Sequence, residues 1–474
     1  MPVVARRLRS PLMLAFGLIS GCAHFVPRPL SPAHSMAAFD ARSLTSPGLR
    51  AFLAANQVPA PGPGGRWGLK ALTLAAFYFQ PSLAEAREQL LEAQAARITA
   101  AARPNPSLAL TPGYDQGAPG ALSPWIVPIE MDWPIETAGR RGDRIAEAGH
   151  LAAAARWELV GTVWRVRSRL RAALLELYSA RTTAALLTRK ASAQQSAVRL
   201  LEGQFAAGMV SSYLVTQARV ALDGTQLDLQ ASEAQVRQAQ IRLAAALGLA
   251  PHALQHVRLA FSDLEVFPRK LTRPQVRQEA LIGRSDVRAA LEQYAASQSA
   301  LKLQIARQWP DIELGPGFAW NSQLVRDRQW QLGLSLPLPI LNRNQGPIAE
   351  ARAERRLAAA HFLTVQTDAL EQINGALTGY RSALTRMATA ESLLIDLRRQ
   401  LKSVRAQVQA GQLQPLDLAD AQVAFDTGAQ NRLAARIEAQ QALGQLEDAV
   451  QNPITLPPAA VRAAQDRPAD TETP

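Results

Sequence analysis

Residues 205–221 read FAAGMVSSYLVTQARVA, and residues 408–424 repeat that pattern as VQAGQLQPLDLADAQVA. The glycine at the fourth position of each stretch has its counterpart 203 positions away. The tetrapeptide IAEA recurs at the same separation, at 145–148 and 348–351. Self-similarity at one fixed period marks a duplicated structural unit. The sequence therefore predicts two halves with one plan: a helix, two strands, a very long helix, a tight turn and a final helix.

Each half contains a long series of apolar residues at heptad spacing. In the first half the series consists of Leu159, Val163, Val166, Leu170, Ala173, Leu177, Ala180, Ala184, Leu187, Ala191, Val198, Leu201 and Phe205. In the second half it consists of Ile373, Leu377, Tyr380, Leu384, Met387, Leu394, Leu397, Leu401, Val404 and Val408. A period near 3.5 keeps facing a neighbour only when helices coil around each other. A helix from about Gly142 to Phe205 is about 95 Å long, which is too long for a compact globular domain.

Glycine residues predict the tight turn at the end of each long helix. Gly208 suits the left-handed conformation that ends a helix, and Ser211 or the next serine suits the cap of the following helix. Gly411 and Gln412 occupy the same place in the second half, where Pro415 suits a first helical turn. We therefore expect two helical hairpins whose tips lie at equivalent heights.

Two segments alternate apolar and polar residues with the period of a β-strand. The residues predicted to face lipid are Ile129, Met131, Trp133, Trp330, Leu332 and Leu334. Glu130 and Ser335 are expected on the opposite, lumen-facing side. Partner strands are predicted near 107–114 and 311–320, which lie 204 positions apart. A half-buried hairpin of a soluble protein alternates in the same way, but two matching hairpins inserted between helices favour membrane strands.

The number of predicted strands implies an oligomer. Two hairpins supply four strands per chain, and an open sheet edge is not tolerated in lipid. Because the smallest membrane barrels have about eight strands, one chain cannot close a barrel alone. The barrel must therefore be assembled from several chains.

The N-terminus has the organisation of a lipoprotein signal peptide. Three arginines between positions 6 and 9 precede an apolar run at 12–19, and Cys22 is the only cysteine of the chain. The sequence Ile19-Ser20-Gly21-Cys22 resembles a bacterial lipoprotein cleavage box, and the alanine that follows it points to the outer membrane. We expect a signal peptide at 1–21 and a lipid on Cys22, which anchors the chain without spanning the bilayer. The alternative is an ordinary secretory peptide with a chance cysteine.

Composition excludes several other functions. The net charge is +12, but the basic residues are scattered along predicted helices, which indicates solvated helix faces and no nucleic-acid site. No apolar run reaches the length of a transmembrane helix. We find no catalytic constellation and expect neither an enzyme nor a cofactor. His252 and His256 have the i,i+4 spacing of metal ligands, but no carboxylate or thiol accompanies them, so no metal site is predicted.

The lipoprotein box, the duplicated plan and the glycine-tipped hairpins together resemble the outer membrane efflux protein family, the TolC type. Residues 136–141 (ETAGRR) and 337–346 (PLPILNRNQG) look like the strand-to-helix junctions of its heavy-metal efflux branch. The resemblance covers about residues 67 to 451. It implies a mostly helical fold, with a long coiled-coil helical barrel below a twelve-stranded β-barrel to which each chain of a homotrimer gives four strands.

The resemblance also implies a function and partners. It implies a passive outer-membrane channel that crosses the periplasm and exports heavy-metal ions or drugs. The implied partners are a periplasmic adaptor, which contacts the hairpin tips at Gly208, Ser211, Gly411 and Gln412, and an inner-membrane transporter of the resistance-nodulation-division class. Asp417 and Asp420 match the family's ring of carboxylates at the periplasmic gate, although carboxylates at a helix start also complement the helix dipole.

The expected domains are a lipid-anchored wrapping segment with one helix near 49–57 (22–66), a first repeat (67–248), a linker (249–284), a second repeat (285–451) and a disordered tail (452–474).

Two other functions remain open. A periplasmic adaptor also contains a helical hairpin, but it carries one hairpin and no duplicated strands. A lipid-anchored coiled-coil spacer of the envelope leaves the alternating strands unexplained.

Overall fold

The structure is a computed structural model that describes residues 24–62, 64–114, 116–117, 124–268, 274–321 and 327–451. In chain order its elements are α1 (Pro32–Asp40), α2 (Pro47–Ala55), β1 (Arg66–Trp67), α3 (Leu69–Phe79), α4 (Pro81–Ala101), β2 (Ser107–Leu110), β3 (Gly113–Tyr114), β4 (Trp125–Ile135), α5 (Arg140–Ala206), α6 (Ser212–Leu247), β5 (Arg258–Leu259), α7 (Pro274–Gly283), α8 (Ser285–Ala306), β6 (Ile312–Asn321), β7 (Asp327–Ser335), α9 (Gln345–Gln409) and α10 (Pro415–Val450). The duplicated plan predicted from the sequence is confirmed.

Two very long helices dominate the molecule. Helices α5 and α9 contain 67 and 65 residues, so each is about 100 Å long at 1.5 Å per residue. Most of the predicted heptad seam of α5 is buried, including Leu159, Leu170 and Leu177, whereas Phe205 at its end is 48% exposed. In the described part of the chain, no helix has an apolar stretch long enough to cross a bilayer.

The shorter helices stack end to end along α5. Helix α6 ends at Gly248, which has a positive φ of 76° and lies directly against the carbonyl of Phe79. There Gln80 donates through Nε2 to the carbonyls of Ala245 and Ala246 at 2.7 and 2.8 Å. Because these two carbonyls lie in the last turn of α6, Gln80 caps one helix and begins the next. Helix α4 therefore continues along α5 from the point where α6 stops.

The core lies around the middle of the long helices. Helices α2 and α3 pack there against the middle of α5 and the end of α6, with Leu53, Phe77, Leu174 and Leu243 fully or almost fully buried. A short parallel pairing of β1 with β5 ties the segment between the two repeats to the first repeat. A second cluster joins α9 to α10 around Ile373.

Two details differ from the prediction. The N-terminal segment has two helices instead of one, because Ser31 caps α1 by accepting from the amide of His34, and proline occupies the first turn. The strand predicted near 107–114 is split into β2 and β3 on either side of Thr111 and Pro112. Proline has no N–H group for the ladder, which accounts for the interruption.

The other five strands form one sheet with the order β2-β4-β6-β7, in which β3 also pairs with β4. Every neighbouring pair in this sheet is antiparallel. The first hairpin of the chain therefore joins the second through β4 and β6. Among the described residues, β2, β3 and β7 have no partner strand on their outer sides.

Candidate functional site

One face of this sheet carries the apolar side chains of all its strands. Directly paired residues of neighbouring strands share a face. The register pairs Leu110 with Ile129, Ile129 with Phe318, and Phe318 with Trp330. Alternation along the strands adds Leu108, Met131, Trp133, Leu314, Leu332 and Leu334 to these four residues. All six residues predicted to face lipid thus belong to one surface, which we call the apolar face.

The apolar face is exposed, and its strands have the length of membrane-spanning strands. Leu332 and Leu334 are 70% and 69% exposed. Strands β4, β6 and β7 contain 11, 10 and 9 residues, and a tilted strand needs about 9–11 residues to cross a bilayer. Trp125, stacked edge-on against Tyr114 at 5.2 Å, lies at one end of β4, and Trp133 lies near the other. Aromatic residues at both limits of an apolar band are typical of membrane barrels.

The opposite face of the sheet is polar and acidic. Glu130, Asp132, Glu313 and Ser335 share this face according to the register. Gln331 donates through Nε2 to Oε1 of Glu130 at 2.7 Å, although the two strands are not neighbours. Gly317 lies between them, and a Cβ atom there would be 2.8 Å from Gln331. The missing side chain leaves room for a hydrogen bond across three strands.

The junction between β4 and α5 is held to the junction between α8 and β6. Thr137 donates through its hydroxyl to the carbonyl of Pro310 at 2.7 Å, and its amide donates to Asp311 at 3.1 Å. Arg140 forms an ion pair with Asp311 at 2.6 Å. The hydrogen bond from Arg144 lowers the pKa of the Glu136 carboxyl. Residues 136–141, which the sequence analysis identified as a strand-to-helix junction, therefore hold the transition from β4 to α5 in place.

The two hairpin tips have the same backbone geometry. Gly208 and Gly411 have positive φ values of 70° and 73°. In each tip the next amide, that of Met209 or Gln412, bonds to the carbonyl five residues earlier at 2.9 Å, as in a Schellman motif. Ser211 occupies the predicted N-cap position without a side-chain capping bond.

The tips lie side by side but differ in chemistry. Gln204 donates to Gln414 through their side-chain amides at 3.0 Å, which joins the ends of the two hairpins at one height. The first tip exposes the large apolar side chains of Phe205, Met209, Tyr213 and Leu214. The second tip exposes Gly411, Gln412 and Gln414.

Asp417 and Asp420 lie in the first turns of α10. The carboxylate of Asp417 accepts a hydrogen bond from the amide of Gln414 at 2.8 Å, and the Gln414 side chain accepts from the Asp417 amide. This capping box gives Asp417 a local structural role. Partial burial, and then the nearby charge of Asp417, raise the pKa of Asp420. Both residues are exposed in the single chain.

A buried charged network joins the two repeats where α5 crosses the end of α10. Arg167 and Glu447 are 2% and 1% exposed and form an ion pair at 2.6 Å. Arg171 lies 3.5 Å from the same carboxylate and donates to the backbone and side-chain oxygens of Gln440 at 2.8 and 2.7 Å. Burial lowers the pKa of Arg171. Gly444 lies directly beneath the Arg171 guanidinium, where a side chain would collide with it.

The sequence interpretation missed this network because scattered charges were assigned to solvated helix faces. A signal was present in the heptad spacing of α10. The buried positions of this helix that face α5 recur every seven residues at Ala419, Asp426, Leu433, Gln440 and Glu447. Polar residues in phase with apolar ones indicate a buried polar layer. Asp426 is fully buried, accepts from Gln422 at 3.0 Å and lies 4.0 Å from Arg189 of α5.

The remaining predicted positions contribute less to the site. Cys22, the signal peptide and the predicted disordered tail lie outside the described residues. The Nε2 atom of His252 lies 3.1 Å from the carbonyl oxygen of Asp40. Within the described ranges no three His, Cys, Asp or Glu residues are grouped as metal ligands.

Comparison with known proteins agrees with this architecture. The sequence model of the family described as "Outer membrane efflux protein" matches residues 79–249 and 276–450. The cobalt-zinc-cadmium resistance protein CzcC of Cupriavidus metallidurans is 26% identical over 234 residues, which are 49% of this chain and 55% of CzcC. The match thus spans about half the length of that relative.

Solved channel structures share the fold. The outer membrane protein VceC of Vibrio cholerae superimposes with a TM-score of 0.66 at 18% identity, over 81% of this chain and 95% of VceC. The CmeC outer membrane channel of Campylobacter jejuni gives a TM-score of 0.64 at 14% identity, over 90% of this chain and 94% of CmeC. The predicted fold class, a long helical barrel joined to strands of a β-barrel, is confirmed.

Proposed function

The chain belongs to the outer membrane efflux protein family, and from that premise we propose that it is the outer-membrane channel of a tripartite efflux pump. The observation that carries the proposal is the exposed apolar face, set on a sheet between helices about 100 Å long. A soluble protein rarely leaves an apolar surface of this extent in water. In a membrane the same face contacts lipid, while the polar face of Glu130 and Gln331 lines a water-filled lumen.

The working state is a homotrimer. Four strands from each of three chains give a twelve-stranded barrel, and closure removes the open outer edges of β7 and of β2 with β3. Helix α6 also exposes Val220, Leu227 and Ile241, which recur at multiples of seven residues on one side of the helix. Such a stripe suits packing against a helix of a neighbouring chain.

The exported substrates are heavy-metal ions or drugs. The partial match to a cobalt-zinc-cadmium resistance protein supports divalent metal cations as the first substrates to test. The channel itself is passive, and the partners are a periplasmic adaptor at the hairpin tips and an inner-membrane transporter of the resistance-nodulation-division class. The exposed apolar side chains of the first tip supply contact surface for the adaptor.

Asp417 and Asp420 line the periplasmic gate in this proposal. In a trimer, six carboxylates converge near the axis and favour cations there. Partial burial, and then the charge of Asp417 one turn earlier, raise the pKa of Asp420, which supports a position where carboxylates are held close together. Single-channel recordings of Asp417→Ala with Asp420→Ala should show weaker cation selectivity and weaker divalent block than the parent. Unchanged selectivity would leave both residues with a purely local role at the start of α10.

Cys22 carries the lipid anchor. Mass spectrometry of the mature N-terminus should find cleavage before Cys22 and acyl chains on it. Because the strands supply insertion, Cys22→Ala should still reach the outer membrane. Cleavage at another position would remove the anchor from the proposal and leave the channel intact.

Two measurements test the channel itself. The purified protein should run as a heat-sensitive trimer on a detergent gel and should conduct ions in a planar bilayer. Deletion of its gene should increase susceptibility to cobalt, zinc and cadmium or to drugs, and the chain should restore resistance. A monomer without conductance would contradict the proposal and favour a lipid-anchored envelope spacer or adaptor.

A further inference from the structure

A cleft lies where the N-terminal segment meets the segment between the two repeats. Its walls come from α2 with the residues just before it, from the residues leading into β1, and from the residues leading into β5. The cleft has a volume of about 320 Å³, which is within the range of about 300–1,000 Å³ for small-molecule sites. These walls lie outside 79–249 and 276–450, the two stretches that the family model matches, so the duplicated plan does not account for the cleft.

The walls of the cleft are anchored in the folded chain. Just before α2, Arg42 donates to the carbonyls of Phe79 and Gly248 at 3.1 and 3.2 Å, where α6 and α4 meet. Strand β1 pairs with β5, and the amide of Ala260 donates to the carbonyl of Trp67 at 2.9 Å. Trp67 itself is only 7% exposed. The cleft is therefore formed before any ligand arrives, which lowers the entropic cost of binding.

The polar side chains around the cleft include no carboxylate. They belong to two arginines, two histidines, a serine and a threonine: Arg50, Arg258, His252, His256, Ser43 and Thr45. The carboxylates that follow β5 are engaged elsewhere. Asp263 accepts from the amide of Leu69 at 3.0 Å. Glu265 forms an ion pair with Arg436 at 3.6 Å. We call the cleft lined by these six polar residues the basic cleft.

Three other clefts in the described part of the molecule have a different composition. The one between α4 and α5 contains Glu85, and the one between α9 and α10 contains Glu371 and Asp448. The third, between α5, α6 and α10, contains Asp228 and Glu438. The absence of carboxylates around the basic cleft is therefore a local property and does not simply follow from the net charge of +12.

We propose that the basic cleft binds a small anion that carries two or more carboxylate or phosphate groups. The guanidinium groups of Arg50 and Arg258 each offer a fork of donors that matches carboxylate and phosphate oxygens. The hydroxyl groups of Ser43 and Thr45 add further donors. A single negative charge would neutralise only one of the two arginines, which favours a multivalent ligand.

The same cleft gives a role to the histidine pair that has the spacing of metal ligands. His252 and His256 both line the cleft, beside two arginines that repel a metal cation. Because a carbonyl oxygen only accepts, His252 donates through Nε2 to the carbonyl of Asp40 at 3.1 Å, and this bond orients its ring. The two rings therefore border an anion site and not a cation site.

The position of the cleft along the molecule indicates where the anion comes from. Trp67 and Val257 pack in the core around Leu174 of α5. Leu174 lies about 50 Å along α5 from Arg140, where the sheet ends. In the proposed channel, headgroups of the outer membrane do not reach this depth, so the ligand is a soluble anion of the periplasm. The source of the ligand rests on the proposed function, whereas the binding itself does not.

Calorimetric titration of the purified full chain in detergent tests the site. The probes are citrate, which carries three carboxylates, and inorganic pyrophosphate, with acetate and chloride as monovalent controls at equal ionic strength. At least one multivalent probe should bind saturably, with one site per chain, and the monovalent anions should not. The stronger of the two probes identifies the ligand as a carboxylate or a phosphate compound. Saturable binding of neither probe overturns the proposal.

A pair of matched double variants shows whether the probe binds in the cleft. Arg50→Gln with Arg258→Gln should weaken binding at least about tenfold, because charge-assisted hydrogen bonds are lost. Arg156→Gln with Arg237→Gln removes the same charge from exposed positions outside the cleft and should bind within about twofold of the parent. Circular dichroism verifies that both variants fold.

The outcomes separate the cleft from the channel. Equal affinity of the cleft variant and the parent, or an equal loss in the two double variants, overturns the basic cleft as the binding site. A chain that conducts ions but binds neither probe overturns the cleft alone. A chain that binds a probe through Arg50 and Arg258 but forms no channel contradicts the proposed function and leaves the anion site standing.

Discussion

The two long helices are repeats of each other, yet their burial differs greatly. Twenty-one residues of α5 are buried but only nine of α9. Helix α5 packs against α4, α6, α8 and α10, whereas α9 packs mainly against α8 and α10. Helices α8 and α10, which cover one flank of α5, belong to the second repeat. Their repeat mates are α4 and α6 of the first repeat. In the proposed trimer, the corresponding flank of α9 receives α4 and α6 of a second copy.

We call the flank of α5 that α8 and α10 cover the closed flank, and the corresponding flank of α9 the open flank. The two flanks also differ in chemistry. The mates of Arg167 and Arg171 on α9 are Leu370 and Asn374, so the buried cations of α5 have no counterpart. On α6, the mate of Glu447 is Ala244. The contact within the chain is therefore fixed by a buried ion pair, and the contact between copies is not. This difference makes the first contact a permanent part of the folded chain and the second one a product of assembly.

The largest effect is expected from breaking the ion pair of the closed flank. Glu447→Ala leaves Arg167 and Arg171 buried without their carboxylate, which should lower the free energy of unfolding by about 3–5 kcal/mol. Denaturant unfolding followed by circular dichroism measures the loss. Glu438→Ala is the matched control on the same helix, because its ion pair with Arg386 is largely exposed and should contribute at most about 1 kcal/mol. Similar losses in both variants would show that burial does not set the importance of the network.

The next effect concerns the two faces of the sheet. Leu332→Arg places a charge on the apolar face and should destabilise the membrane-inserted protein by about 2–4 kcal/mol. Ser335→Arg, on the polar face of the same strand, should have little effect because its side chain meets water. Unfolding from lipid vesicles compares the two variants. If the two substitutions are equally harmful, or equally harmless, the strand does not separate lipid from lumen.

The sequence predicted the parts of the fold that depend on periodicity. The heptad seam predicted α5 to within two residues at each end, and the alternation at 129–133 and 330–334 predicted strands with one apolar face. The sequence analysis did not predict α1, because Pro32 was interpreted as part of an irregular segment. After a capping serine, however, a proline suits the first turn of a helix.

The buried network was beyond the same reasoning for a different reason. An arginine on a helix has the same local sequence signature whether its guanidinium meets water or a carboxylate from another helix. Arg167 and Glu447 are 280 positions apart, and only the packing of α5 against α10 brings them together. The capping box of Asp417, by contrast, is local, and the sequence analysis had anticipated a structural role for this residue at the helix start, through the helix dipole, as the alternative to a gate role.

A smaller effect is expected on α6, the helix that covers the open flank of α9 in a second copy of the proposed trimer. Leu227 is 66% exposed, so Leu227→Ser should leave the unfolding of the monomer almost unchanged. If a second copy covers this side chain, the variant should weaken trimer formation by about 1.5–3 kcal/mol. Analytical ultracentrifugation in detergent measures the association. Gln226→Ser, one residue earlier and also exposed, is the control and should associate normally. Equal association of both variants would remove α6 from the interface between copies.

The smallest effects distinguish the two aspartates of the second hairpin. Asp417→Ala removes the capping carboxylate and should cost about 0.5–1 kcal/mol of stability near neutral pH.

Asp420→Asn should act in the opposite direction and increase stability. Because the pKa of Asp420 is raised above its ordinary value of 3.8, the folded chain holds this proton more tightly than the unfolded chain. Stability contributed by the carboxyl is therefore present at low pH and is lost as the pH rises through the raised pKa.

Asp420→Asn removes this loss, so the variant should be slightly more stable than the parent at neutral pH, and the difference should disappear as the pH falls below 3.8. Thermal unfolding at a series of pH values measures both variants. Asp417→Ala also removes the nearby charge that helps to raise the pKa of Asp420, which shifts the pH dependence toward that of an isolated carboxyl. A parent and an Asp420→Asn variant with parallel pH profiles would mean that Asp420 is an ordinary solvated carboxylate in the folded chain.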